Sequence, residues 1–156
     1  MASDQVSLIT PETTIKVSST LDKSVGKKYL VDGNPETCWT SQQGLPQWIS
    51  LTFPSPIAPT CISLTFQGGF VGRRCAIHYK PLKPPQSEPE SQTTEKDSWA
   101  LLTNIYPEDV NRKQTFSLSS ASDEHPQTTQ LKLTFEESSD FFGRITVYDL
   151  SLEGRS

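Results

Sequence analysis

The chain is poor in the residues that usually carry chemistry. It has three cysteines, Cys38, Cys61 and Cys75, whose separations of 23 and 14 match no paired C-x-x-C pattern; a zinc site of that type is excluded. The odd number makes a disulfide framework a poor reading and a small buried hydrophobe the plain one for each. Only two histidines occur, and neither H-E-x-x-H nor G-x-S-x-G is present. His78 and Cys75 are close, but three residues apart on a strand they face opposite sides, so they form no local nucleophile–base pair. With no constellation to name a reaction, the expectation is a chain that is not an enzyme.

Long apolar runs are also missing. None approaches the roughly 20 residues of a membrane helix, so no membrane partner is expected. Met1–Thr10 has neither a basic nor an apolar stretch, and Asn34, Asn104 and Asn111 all fail the N-x-[ST] pattern. With unpaired cysteines, this points to an intracellular protein, of nucleus and/or cytoplasm. Positive charge is scarce: the net charge is −4 and the pI about 5.2, which disfavours nucleic acid. The length of 156 residues suits a single domain over 1–156.

What is present is alternation. Trp48–Phe53 (WISLTF) sets Ile49, Leu51 and Phe53 on one side. Cys61–Gln67 (CISLTFQ) does the same with Ile62, Leu64 and Phe66, and Gln130–Glu136 (QLKLTFE) with Leu131, Leu133 and Phe135. Period-two patterning marks strands with one dry face. Thr14–Ser19, Arg74–Lys80, Trp99–Asn104, Gln114–Leu118 and Arg144–Leu152 are weaker strands. No segment carries an apolar stripe at helical spacing. About eight antiparallel strands, each with one dry face, predict an all-β jelly-roll sandwich. Pro81–Asp97 (PLKPPQSEPESQTTEKD) has too few apolar residues to order itself, so residues 81–98 read as a flexible inserted loop. Ser119–Thr129 is a second polar loop.

The most informative stretch is Tyr29–Trp39 (YLVDGNPETCW). Asp32-Gly33-Asn34-Pro35 is a strong turn signal, and Trp39 wants burial with its N–H paired. A loop pinned in this way holds a carboxylate, carbonyls and the Thr37 hydroxyl in a fixed curve. Those are the hard oxygens that calcium takes. A second carboxylate has a source in the last strand. There the apolar phase of Ile145 and Val147 slips by one before Leu150 and Leu152, which marks a β-bulge at Tyr148-Asp149 that re-aims Asp149. The plainer alternative is that Asp32 caps a turn and Asp149 is solvated.

Tyr29–Trp39 resembles the loop of discoidin-type, galactose-binding-like modules, whose pattern is a DGN turn followed by Trp. The resemblance implies their sandwich fold and, from calcium-binding members, a structural ion. It would be held by the Asp32 side chain, the Tyr29 and Asn34 carbonyls and Thr37, with the Asp149 side chain and the Tyr148 carbonyl from the last strand. FQGGFVGRR (Phe66–Arg74), YPEDVNRKQTF (Tyr106–Phe116) and DFFGRITVYDLSLEG (Asp140–Gly154), with ETCW and PQWISLTFP, look like the nuclear-receptor-associated family within that superfamily. The likeness runs from about Ser7 to Tyr79 and from about Trp99 to Gly154. It implies a non-enzymatic, intracellular, corepressor-like protein-interaction module with a nuclear receptor as partner. Two alternatives stand beside it. Lectin-like relatives imply a carbohydrate ligand, and VDGNPETCWTS also looks like the loop of a discoidin-like subunit of the intraflagellar transport complex.

Two glycine-containing loops make a recognition patch in their own right. Gln67–Gly72 carries Phe70 ahead of Arg73 and Arg74, and Asp140–Arg144 carries Phe141 and Phe142 beside Arg144. Aromatics and arginines dominate binding hot spots, so Gln67, Phe70, Arg73, Arg74, Phe141 and Arg144 form the expected patch. The alternative is that Phe141 or Phe142 plugs the core and Arg144 pairs with Asp140. The Gly-Gly-Phe stretch lacks the spacing of a phosphate loop.

Overall fold

The computed structural model describes residues 6–34, 36–82, 99–118 and 127–155. Apart from Pro81 and Leu82, the inserted loop predicted over 81–98 lies outside these residues, as do positions 119–126 of the second polar loop. Nine strands are present among the described residues: β1 (Val6–Ser7), β2 (Thr14–Val17), β3 (Trp39–Thr40), β4 (Gln47–Phe66), β5 (Gly72–Tyr79), β6 (Ala100–Ile105), β7 (Lys113–Ser117), β8 (Thr128–Ser138) and β9 (Thr146–Arg155). Two short 3-10 turns, Lys23–Val25 and Lys27–Leu30, lie between β2 and β3. No helix among them is long and apolar enough to cross a membrane.

All pairings are antiparallel, and β4 belongs to two sheets. Its first half lies between β2 and β8, followed by β5 and β6. Its second half lies between β7 and β9, and β9 is edged by β1 and β3. Trp48–Phe53 and Cys61–Gln67, read from the sequence as two strands, are one: β4 runs on through Pro54 and Pro56. Proline lacks an N–H but fits an extended backbone, so it interrupts pairing without ending the strand. The register against β8 shifts between Thr52 and Ile57, where β4 leaves one sheet for the other.

The dry faces close over one core. Ile49, Leu51, Leu131, Leu133 and Ile77 from the first sheet face Ile62, Leu64, Val147 and Leu152 from the second, all fully buried. Burying each such side chain is worth about 1.5–3 kcal/mol. Phe66 and Phe135 meet edge to face, with ring centroids 5.9 Å apart. The bulge expected in the last strand is present. Thr65 pairs with Asp149 but Phe66 with Val147, so Tyr148 is the extra residue.

Candidate functional site

The loop ahead of β3 is anchored by Trp39. Its indole is fully buried and its Nε1 donates to the Ser19 carbonyl at 3.0 Å. Upstream, the loop folds on itself. The Asn34 amide donates to Asp32 Oδ1 at 3.0 Å, and the Thr37 hydroxyl donates to Asp32 Oδ2 at 2.7 Å, with Asp32 Oδ1 at 3.0 Å and the Asn34 carbonyl at 3.2 Å within reach of the same proton. The Asn34 amide first, then the Thr37 hydroxyl, hold the Asp32 carboxyl below its ordinary pKa. Tyr29 lies in the second 3-10 turn that leads into this loop.

Gly33 and Asn34 share a cleft of about 670 Å³ with Thr65, Asn111, Tyr148 and Asp149. Burial raises the Asp149 pKa, the facing Lys113 opposes the rise, and the negative charge of Asp32 adds to it. Lys113, Thr65 and Asp149 stand in register across β7, β4 and β9. Among the described residues no three His, Cys, Asp or Glu side chains cluster, so any ion here would rest on carbonyls and hydroxyls as well as acids. The donor set fits a hard cation. As the loop stands, the Asp32 carboxylate is hydrogen-bonded to the Asn34 amide and the Thr37 hydroxyl, the turn cap of the plainer reading, so an ion would have to take these oxygens over from those bonds.

The second candidate region is the tip formed by the β4–β5 and β8–β9 loops, which emerge together. Gln67 N donates to the Thr146 carbonyl, Thr146 N to the Phe70 carbonyl, and Ser139 N to the Val71 carbonyl, at 2.9–3.1 Å. Asp109, from the loop between β6 and β7, accepts from Gly69 N and Ser139 Oγ. At this tip Phe141 is 92% exposed and Phe142 is 52% exposed. Neither ring plugs the core.

Arg144 organises the tip. Its guanidinium lies 5.1 Å from the Phe70 ring centre and 5.8 Å from that of Phe142, while Nε donates to Asp140 at 3.1 Å. Phe70, a member of the expected patch, is half-buried against this cation. Arg73 and Arg74 sit apart from the aromatic tip, at the start of β5, and line a cleft with Tyr106, Glu108, Asp109 and Glu137. Arg74 is paired with Glu136 and Glu137, both at 3.1 Å. The expected patch is thus two neighbouring surfaces that both border Asp109. Sequence reasoning missed Leu45, which is 43% exposed and packs beside the tip where Gly44 N donates to the Phe142 carbonyl. The Gly-Leu-Pro turn was its only signal.

The cysteines are all free. Cys75 is buried, whereas Cys38 and Cys61 are only partly so, and the small-hydrophobe reading describes Cys75 alone. Burial pushes the Cys75 and Cys61 thiols up.

No protein-family profile matches the chain. Curated relatives do. Nuclear receptor 2C2-associated protein of Danio rerio is 39% identical over 151 residues, covering 95% of each chain. The Homo sapiens protein of that name is 38% identical, covering 95% of this chain and 96% of its own. The chain belongs to the nuclear receptor 2C2-associated protein family. Among solved structures, an F5/8 type C domain from Bacteroides fragilis superposes with a TM-score of 0.73 at 13% identity, over 99% of each chain. The family 32 carbohydrate-binding module of Clostridium perfringens NanJ, solved with galactose, gives 0.70 at 17% identity, over 96% of this chain and 98% of that one. At such identities the likeness establishes for the nuclear receptor 2C2-associated protein family member a discoidin-like, galactose-binding-like β-sandwich, and no ligand.

Proposed function

We propose that this chain is a non-catalytic, intracellular protein-interaction module whose partner is a nuclear receptor of the 2C2 type, gripped by the loop tip. One observation carries the reading: Phe141, 92% exposed, stands on a turn braced by Phe142 and Arg144. An exposed aromatic has few rotatable bonds to freeze on docking and a large apolar area to bury. The relatives' shared name supports the choice of partner. Burial raises the Cys75 and Cys61 thiols, so neither is poised as a nucleophile. A corepressor activity belongs to this same reading. Calcium would be a structural staple, held by the Asp32 and Asp149 side chains, the Tyr29, Asn34 and Tyr148 carbonyls and Thr37.

The test is Phe141→Ala. It removes only exposed surface, so the melting temperature should hold, while affinity for the purified 2C2 receptor should fall by about 30-fold if the ring is a hot spot. Unchanged affinity removes the tip from the reading. Binding to a galactoside array that is lost in the same variant would shift the ligand from protein to carbohydrate.

A further inference from the structure

The outer face of the five-stranded sheet concentrates positive charge on an acidic protein. Cross-strand partners project from the same side, and one row reads Lys16, Ser50, Lys132, His78 and Leu101, from β2 across β4, β8 and β5 to β6. On either side of it run Thr14, Thr52 and Gln130, and Trp48, Thr134, Ala76 and Asn104. None of the residues in these three rows is acidic, and the acid that follows on the same side of β8, Glu136, is paired with Arg74 at 3.1 Å, although the whole chain carries a net charge of −4. Two tryptophans frame the centre. Lys132 Nζ lies 4.7 Å from the Trp48 ring centre and 5.9 Å from that of Trp99, and Lys80 Nζ lies 5.3 Å from Trp99. Leu101, at the end of the row, is 53% exposed.

We propose that this face, centred on Trp48, Lys132 and Trp99, binds an acidic polyproline-II segment of a partner protein. Charge complementarity and spacing both point there. Strands lie about 4.8 Å apart, so Lys16 and Lys132, two strands from one another, are about 9.6 Å apart at their backbones. A polyproline-II chain rises about 3.1 Å per residue with three residues per turn, so acids at i and i+3 share a side about 9.3 Å apart. Flat aromatic rings flanking such a chain are how preformed proline-rich ligands are commonly held. Single-stranded nucleic acid, whose bases would need the same two indoles for stacking, is the outcome that the oligothymidine arm below tests. This face is separate from the Phe141 tip, so either proposal stands or falls without the other.

The probe is a fluorescein-labelled (Glu-Pro-Pro)n peptide of four repeats, read by fluorescence anisotropy against its (Gln-Pro-Pro)n counterpart. The glutamate peptide should bind, the glutamine peptide should not, and affinity should fall steeply between about 0.05 M and 0.5 M salt as screening shortens the reach of the lysines. Lys132→Glu should weaken binding at least about tenfold. Lys16→Glu, at an exposed position with no packing role, should weaken it too with an unchanged melt, and Phe141→Ala should leave it intact. The proposal is overturned by equal binding of the two peptides, by full binding in folded Lys16→Glu, or by an oligothymidine that binds more tightly than the glutamate peptide.

Discussion

Arg144 donates twice to Oδ2 of Asp140, from its backbone amide at 3.0 Å and from its Nε at 3.1 Å. One carboxylate therefore fixes both the turn that raises Phe141 and the cation that Phe70 and Phe142 pack against. Burial alone would raise the Asp140 pKa, but the hydrogen bonds and charge of Arg144 outweigh it and hold the carboxyl below its ordinary value.

A pH dependence follows from that pair. The folded-state value lies below the unfolded one of about 3.9, so the contribution is present at neutral pH and is lost as pH falls through the folded value. Asp140→Asn should lower the melting temperature by about 2–4 °C at pH 7, the equivalent of roughly 1 kcal/mol in a domain of this size. The gap between the variant and the unsubstituted protein should close as pH is taken below about 4. A gap of the same size in acid would assign the effect to packing rather than charge.

Asp149 carries the opposite sign. Its folded-state pKa is raised, chiefly by burial, so its favourable contribution is complete below the unfolded value and is lost as pH rises through the folded one. In chelator at pH 7, Asp149→Asn should therefore raise the melting temperature, with no gain in acid. In calcium the same variant should lose the ion's stabilisation. The unsubstituted protein should gain at least about 2 °C in excess calcium, and Asp32→Ala should abolish that gain. Identical melts of the unsubstituted protein in calcium and in chelator would end the calcium reading and leave the fold untouched.

Gly154 is a matter of space. It pairs with Val6 on one side and Pro59 on the other, and an added Cβ would run into the Ala58 carbonyl oxygen and lie 2.8 Å from Pro59 Cα. Backbone cannot swing aside as a side chain does. Gly154→Ala should cost at least about 2 kcal/mol in chemical denaturation, with the loss concentrated in the faster unfolding limb if β1 docks late. A neutral result would mean that β9 can shift its register against β4.

The dry faces of β4, β8 and β9 are legible from alternation alone, and so is the bulge at Tyr148, because a period of two and a slip in it are properties of neighbouring residues. The same locality made the Asp32–Thr37 turn readable. The two-residue strands β1 and β3 carry no such signal. Val6 and Trp39 become strand residues only because Gly154 and Val147, more than 100 residues later, supply their hydrogen-bond partners. Pairing over that distance is bought with loop-closure entropy and repaid only when the core assembles.

Composition and alternation, then, settle the fold class and which side of each longer strand is dry, since burial acts on every residue where it stands. Long-range register settles the rest. It runs β4 through its prolines into both sheets and stacks Arg144 between Phe70 and Phe142. It also sets Lys132 between Trp48 and Trp99, because those contacts exist only once segments distant along the chain lie side by side.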